Sequence, residues 1–148
     1  MNIGLVIMHA RTSESKLSLE VIQLLDESLF KICFVNTSAE EAQKMVLLPS
    51  LQQQKNVTII NAMKSSSLEN SVKAGARYLI NQEDSAIIIH SALISKEILK
   101  VLHAIQDLLK NNEALYCKIL TNSTRVLRTI YTADEFLQLI YYNIKKAI

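Results

Sequence analysis

The sequence predicts an α/β protein with a three-layer, Rossmann-like architecture, in which a mainly parallel sheet of about five strands carries helices on both faces. Five short apolar runs rich in Ile and Val recur along the chain, and helix-like sequence follows each of them. This alternation is typical of parallel strands joined by crossover helices. The length of 148 residues and the 49% hydrophobic content predict a single domain over 1–148 with a substantial core.

The predicted strands share a short length and a polar residue at or just beyond their carboxyl end. They are IGLVIMHA, FKICFVNTS, NVTIINA, SAIIIHSA and LYCKILTNS. None alternates cleanly between polar and apolar residues, so we expect a sheet that is buried on both faces. The usual doubly wound strand order would make the first and fourth strands neighbours.

Helical spacing of apolar residues marks the connections between these strands. It is present in SKLSLEVIQLLDES, LENSVKAGARYLI and SKEILKVLHAIQDLLKN. A further segment begins at Ser38, which is a favourable N-cap, and meets Pro49, which should end or kink it. The last helix begins with a capping box, Thr132 with Glu135, and ends with two lysines near its negative pole.

Composition and charge exclude several function classes. A formal charge of +2 and 5% aromatic residues without tryptophan argue against a nucleic-acid partner, which would need a basic surface and stacking platforms. Two glycines and one proline leave no dinucleotide-binding or P-loop motif. No apolar segment reaches the length of a membrane span, and the amino terminus lacks a basic leader, so we expect a cytoplasmic protein.

The two cysteines occupy apolar runs that the pattern assigns to strands. Cys33 and Cys117 have no second Cys or His at metal-ligand spacing, so no metal or other cofactor is expected from them. We expect both to be buried, reduced and unpaired.

Polar side chains collect at the predicted carboxyl ends of the strands, where open α/β sheets bind ligands. The candidate ligand-binding residues are His9, Arg11, Asn36, Asn61, Lys64, Lys73, His90 and Ser91. The fifth predicted strand adds Asn122, Ser123 and Thr124. Many of the Asn, Ser and Thr residues also suit the N-caps of the following helices, so a purely structural role is an alternative for them.

Histidine is not a favoured N-cap, which distinguishes His9 and His90 from the other strand-end residues. If the first and fourth strands are neighbours, both imidazoles would project into one crevice and bind a metal or transfer a proton. Two nitrogen ligands without a carboxylate make a weak metal site, and no acidic residue occupies a predicted strand end. A hydrogen-bonding or structural role for the histidines is therefore favoured over metal binding.

Residues 1–93 resemble the nucleotide-binding half of family 2 glycosyltransferases of the GT-A type. GLVIMHAR is similar to the first strand of that family, with His9-Ala10-Arg11 in place of the threonine-tyrosine-asparagine tip. CFVNTSAEEAQ resembles the second strand, with Asn36 in place of the base-contacting aspartate. NVTIINA and SVKAG resemble the third strand and its glycine-containing helix, with Lys73 replacing an asparagine and Gly75 retained.

The resemblance places IIIHSAL on the strand that carries the family's D-x-D motif, whose paired carboxylates hold Mg²⁺ or Mn²⁺ against the sugar-nucleotide diphosphate. His90 and Ala92 replace both carboxylates. The resemblance therefore implies a degenerate, non-catalytic domain that binds a nucleotide or nucleotide-sugar without metal. Arg11, Lys64 and Lys73 would meet the diphosphate, and the asparagines would contact the base or ribose.

Two other functions remain open. The chain is an alternative candidate for a protein–protein interaction module that forms homo-oligomers through its apolar C-terminal helix, although packing of that helix on its own sheet is slightly favoured. A metal-independent enzyme that uses His9 or His90 as a general base is the third reading.

Overall fold

The computed structural model describes residues 2–9, 25–36, 55–61, 67–91, 95–123 and 129–146. Within these residues the chain forms five strands and four helices. The strands are β1 Asn2–His9, β2 Phe30–Asn36, β3 Val57–Asn61, β4 Ser85–Ser91 and β5 Ile130–Thr132. The helices are α1 Leu68–Glu83, α2 Lys96–Lys110, α3 Glu113–Ser123 and α4 Ala133–Lys146.

The strands form one parallel sheet in the order β3-β2-β1-β4-β5. The predicted α/β, Rossmann-like fold is therefore confirmed, and so is the adjacency of the first and fourth strands. The strand order reverses at β1: β2 and β3 follow on one side of it, whereas β4 and β5 lie on the other. This reversal places the switch point of the sheet between β1 and β4.

Among the described residues, helices cover both faces of the sheet. Helix α1 packs on one face, which we call the α1 face, against small and β-branched residues that include Val6, Val35 and Ile88. Helices α2, α3 and α4 cover the opposite face, where the large core contains the fully buried rings of Phe30, Phe34 and Phe136. The sheet is buried on both sides as predicted.

The apolar pattern predicted a strand in the run LYCKILTNS, and this prediction is wrong. The run forms most of helix α3. Its buried residues Leu115 and Ile119 lie one helical turn apart, and Leu120 next to Ile119 is also buried, whereas Cys117 is exposed. The helix begins after Asn112, whose side-chain Oδ1 accepts a hydrogen bond from the Leu115 amide at 3.0 Å. An apolar run of this length suits either a buried strand or a helix, and the N-cap with the four-residue spacing decides for the helix.

The fifth strand is the short segment Ile130–Thr132, which the sequence did not reveal. Asn122 and Ser123 consequently lie at the end of a helix and not at a strand end, and Thr124 lies outside the described residues. The capping box that follows β5 is confirmed, because the Glu135 amide donates to Thr132 Oγ1 at 3.2 Å and the Thr132 amide donates to Glu135 Oε1 at 3.3 Å.

Both cysteines are free, but only one is buried. Cys33 lies in the centre of β2, where burial raises the pKa of its thiol to about 12. Cys117 was expected to be buried in a strand and is instead exposed on α3.

Helices α1, α2 and α4 agree with the predicted segments. Most of the predicted helix in SKLSLEVIQLLDES and the segment from Ser38 to Pro49 lie outside the described residues. Among the described helices, none is long and apolar enough to cross a membrane.

Candidate functional site

The carboxyl ends of the strands form one edge of the sheet, and three of the predicted residues share a single level on it. The Cα atoms of His9 and Asn36 are register partners between β1 and β2, and Asn36 is in turn the partner of Asn61 on β3. The sequence could not have given this register. For these three residues the structure describes the backbone, and it brings them together as the last residues of three adjacent strands.

On the other side of the switch point, β4 ends with His90 and Ser91. Because these residues are consecutive in a strand, their side chains point to opposite faces of the sheet. His90 is the register partner of Val6 and lies two residues after Ile88. Both Val6 and Ile88 belong to the α1 face, so His90 lies on that face too. Ser91 is the partner of Ile7 and is buried on the α2–α4 side. His90 is partly exposed, whereas Ser91 is buried. Because the two side chains lie on opposite faces of the sheet, they cannot both line a site on one face.

The two histidines lie on neighbouring strands but at different heights. His90 is level with Val6, and His9 lies three residues further along β1. Three strand residues span roughly 10 Å. A shared two-histidine metal or proton-transfer site, which strand adjacency alone would allow, is therefore not favoured by the register.

Helices begin at this same edge and contribute capped N-termini. Ser67 Oγ accepts a hydrogen bond from the Asn70 amide at 3.2 Å at the start of α1. Ser95 Oγ does the same for the Ile98 amide at 3.2 Å at the start of α2. Together with the Thr132 cap of α4, these N-termini supply helix dipoles that point their positive ends at this edge. Acidic residues in the first turns of the three helices offset part of this field. They are Glu69 of α1, Glu97 of α2, and Asp134 with Glu135 of α4.

The predicted basic residues lie differently from one another. Lys73 is on the second turn of α1, where its Nζ lies 3.3 Å from Glu69 Oε1, and both side chains are more than half exposed. The pair is an ordinary i, i+4 ion pair on the outer side of the helix. Arg11 and Lys64 lie outside the described residues.

One residue near the carboxyl edge was missed by sequence reasoning. Ser71, in the first turns of α1, is only 1% exposed, and its Oγ has no hydrogen-bond partner. Native structures rarely leave a buried hydroxyl unsatisfied. The available signal was a serine on the apolar stripe of α1, one turn before Gly75 and two turns before Leu79.

Polar side chains also make contacts at the opposite, amino-terminal edge of the sheet, although Asn56 Oδ1, just before β3, is buried without a partner. Asn2 Nδ2 donates to the Glu83 carbonyl at 2.8 Å, and Ser85 Oγ donates to Asn2 Oδ1 at 2.5 Å. A shallow surface groove lies beside them, lined by Asn2, Ile80, Glu83, Asp84, Ser85 and Ala86. None of the predicted site residues lines it.

A second cluster at the amino-terminal edge joins the turn before β2 to the end of α2. Lys110 Nζ lies 2.6 Å from Asp26 Oδ2, and the Asp26 amide donates to Gln106 Oε1 at 2.8 Å. The hydrogen bond from Lys110, and then those from Ser28, lower the pKa of Asp26 to about 2.

The residues present do not fit the divalent cation that the family resemblance implies. The two positions of the expected carboxylates are His90 and Ala92, and Ala92 is outside the described residues. A methyl group cannot ligate a cation, and imidazole is a poor ligand for Mg²⁺. Among the described residues, no group of three or more His, Cys, Asp or Glu side chains could hold a metal ion.

Helix α4, the predicted oligomerisation element, buries most of its apolar side in its own core. Phe136 and Ile140 are fully buried, and the Phe136 ring lies 5.8 Å from that of Tyr131. Tyr141 and Tyr142 are exposed, and Lys146 Nζ lies 5.7 Å from the centre of the Tyr142 ring. The apolar excess of this helix is thus explained by the fold, except for the two tyrosines.

Comparisons of the chain with protein-family models, with curated proteins and with solved structures found no match.

Proposed function

We propose that this domain binds a nucleotide or nucleotide-sugar above the carboxyl ends of β1 and β4, as a non-catalytic, glycosyltransferase-like domain. The observation that supports this proposal most directly is the strand order β3-β2-β1-β4-β5, whose reversal at β1 places the switch point of the sheet between β1 and β4. Ligands of open α/β sheets bind outside the carboxyl ends of the strands at such a switch point.

The chemistry of the edge is consistent with a diphosphate that is held without metal. None of the five described strands ends on an acidic residue, so a phosphate would meet no fixed negative charge at these positions. The N-termini of α1, α2 and α4 supply amide dipoles of the sign that an anion needs. The row formed by His9, Asn36 and Asn61 offers hydrogen-bonding residues for a base or ribose.

A thermal-shift panel tests the proposal. The probes are uridine and guanosine diphosphates and their sugar conjugates, each with and without Mn²⁺. A ligand present at a hundredfold excess over its Kd should stabilise the fold by about 2.7 kcal/mol. We expect a shift that Mn²⁺ does not increase, and a flat panel would contradict the proposal.

A matched pair of histidine variants locates the site. His90→Ala removes the partly exposed imidazole at the end of β4, whereas His103→Ala removes a likewise partly exposed one from the middle of α2. Binding at the switch point requires that only His90→Ala weakens the shift. Calorimetric titration of Mn²⁺ into the wild type and His90→Ala completes the test, because a tight stoichiometric site lost in the variant would indicate a metal-dependent enzyme.

An interaction module is the second candidate, and the exposed rings of Tyr141 and Tyr142 favour it. Exposed aromatic residues are enriched at protein interfaces. Light scattering of the wild type and of Tyr142→Glu checks this candidate, which requires a dimer that the variant dissociates. A monomer at all concentrations would leave nucleotide binding as the proposal to pursue.

A further inference from the structure

Two buried side-chain polar atoms of the described residues lack a hydrogen-bond partner, Ser71 Oγ and Asn56 Oδ1. The amide nitrogen of Asn56 donates to the Phe30 carbonyl, whereas the Ser71 hydroxyl makes no hydrogen bond. Ser71 is 1% exposed, and its backbone amide already donates to the Ser67 carbonyl at 3.0 Å. Serine is not required for helix formation here, because alanine has the higher helix propensity and fills nearly the same space. Leaving a buried donor unsatisfied destabilises a protein, so the hydroxyl has a cost without a structural return.

The position of Ser71 on α1 follows from Gly75, one turn later on the same side of the helix. A Cβ atom at Gly75 would lie 2.8 Å from Val6 Cγ1 and 3.1 Å from Val35 Cγ2. Gly75 therefore sits directly on β1 and β2, and this close approach requires a glycine. Ser71 accordingly lies on the sheet-facing side of α1.

The direction of α1 then sets the level of Ser71 along the sheet. Helix α1 connects β3 to β4, which are parallel, so it runs back across the sheet with its N-terminus at the carboxyl edge. One helical turn is about 5.4 Å, or between one and two strand residues. Ser71 is thus displaced by that distance from Val6 and Val35 toward the ends of β1 and β2, on the same sheet face as His90.

We infer that Ser71 is a direct ligand contact, whose hydroxyl donates a hydrogen bond to a phosphate oxygen of the bound nucleotide. This inference rests on the proposed function and assigns one of its contacts. A phosphate oxygen between the first turn of α1 and the strand ends would satisfy the orphan hydroxyl and would also lie at the positive end of the helix dipole. The hydroxyl is inaccessible in the ligand-free structure, so the contact requires the phosphate to enter between α1 and the strand ends, where the bond would form away from competing water.

Ser71→Ala should change the stability of the ligand-free protein and its affinity for the nucleotide in opposite directions. Ser71→Ala should raise the melting temperature of the ligand-free protein by a few degrees, because it removes an unsatisfied buried donor. The same substitution should weaken uridine diphosphate binding roughly tenfold to a hundredfold, as expected for the loss of a hydrogen bond to a charged group.

Ser85→Ala is the matched control. Ser85 is also a buried serine, at 4% exposure, but its hydroxyl is hydrogen-bonded to Asn2 at the opposite edge. This variant should lower the melting temperature and leave the Kd for uridine diphosphate unchanged. The same titrations with pyrophosphate and with orthophosphate separate recognition of a nucleotide from recognition of free phosphate.

The outcomes distinguish this inference from the proposed function. If uridine and guanosine diphosphates bind the wild type and His90→Ala weakens them, but Ser71→Ala does not, the proposed function stands and the role of Ser71 is refuted. A lower melting temperature of ligand-free Ser71→Ala would also refute it, since the hydroxyl would then be satisfied within the protein. If no nucleotide binds the wild type, both proposals fail. Support requires a more stable variant that has lost affinity.

Discussion

The polar side chains at the two edges of the sheet have different hydrogen-bond partners. At the amino-terminal edge the described polar side chains bond to one another across long sequence separations, as Asn2 does with Ser85 and with the Glu83 carbonyl. At the carboxyl edge the helix caps of Ser67 and Ser95 are local contacts. Among the described residues, each edge has one buried side-chain polar atom without a partner, Ser71 Oγ near the carboxyl edge and Asn56 Oδ1 at the amino-terminal edge. The comparison indicates that contacts at the amino-terminal edge contribute to the stability of the fold, and it is consistent with the proposal that the carboxyl edge binds a ligand.

The largest stability loss is expected from Asn2→Ala. This change removes two hydrogen bonds and leaves the buried Ser85 hydroxyl without its acceptor. Losses of this kind cost about 2 to 3 kcal/mol. Urea unfolding measures the loss, and Asn70→Ala, an exposed asparagine of α1, is the control that should change stability little. Weaker uridine diphosphate binding by Asn2→Ala would break the division between the edges.

Gln106→Leu should destabilise the protein by about 2 kcal/mol, because the Asp26 amide loses its acceptor at 2.8 Å while the volume of the side chain is nearly kept. Gln138→Leu makes the same chemical change at an exposed position of α4 and should stay within about 0.5 kcal/mol of the wild type. Equal effects of the two variants would show that the contact between the β2 turn and α2 contributes nothing.

The Asp26–Lys110 contact predicts a dependence of stability on pH. The folded pKa of Asp26, about 2, is below its usual value of 3.8, so the contact stabilises the fold above about pH 4. This contribution is lost as the pH falls through 2. The Asp26 side chain is 27% exposed, so solvent screening limits the effect to about 1 kcal/mol. Urea unfolding between pH 2 and 6 should show this slope in the wild type and lack it in Asp26→Asn.

A control for the acid dependence is available in the exposed pair on α1. Glu69→Gln removes the carboxylate that lies 3.3 Å from Lys73, but both side chains of this pair are largely in solvent. Its unfolding profile should follow that of the wild type between pH 2 and 6. If Asp26→Asn retains the wild-type slope, the bonds from Lys110 and Ser28 do not control the titration of Asp26.

Much of this fold could be predicted because hydrophobic periodicity is a local property of the sequence. The first four strands and helices α1, α2 and α4 carry either a dense Ile and Val run or a four-residue apolar spacing. The run LYCKILTNS fits both an apolar strand and a helix with four-residue apolar spacing. It forms a helix because Asn112 caps it and because Leu115 and Ile119, one turn apart, are both buried. β5 is three residues long, too short to give a pattern.

The candidate site was predictable in position but not in detail. The rule that parallel strands end at one edge placed His9, Asn36 and Asn61 together, but their common level depends on the register between strands. That His90 and Ser91 point to opposite faces of the sheet could have been predicted from the sequence alone, because side chains alternate along a strand. The unsatisfied hydroxyl of Ser71 could not have been predicted, because it depends on which groups the tertiary structure brings near.

Lys73→Ala tests which side of α1 a ligand would meet. Lys73 was predicted to meet a diphosphate, but it is two residues from Ser71, which on a helix places it on the nearly opposite side. Since Ser71 is on the sheet-facing side, Lys73 faces solvent, where it pairs with Glu69. An exposed i, i+4 pair contributes only about 0.3 to 0.5 kcal/mol.

We therefore expect Lys73→Ala to unfold at nearly the wild-type urea concentration and to bind uridine diphosphate with unchanged affinity at moderate salt. Its partner in the test is Ser71→Ala, since the two variants alter the same turn of α1 on opposite sides. A tenfold loss of affinity in Lys73→Ala alone would move the ligand from the sheet-facing side of α1 to its outer side. Such a result would favour the basic residue that the family resemblance nominated and would leave the buried hydroxyl without a role.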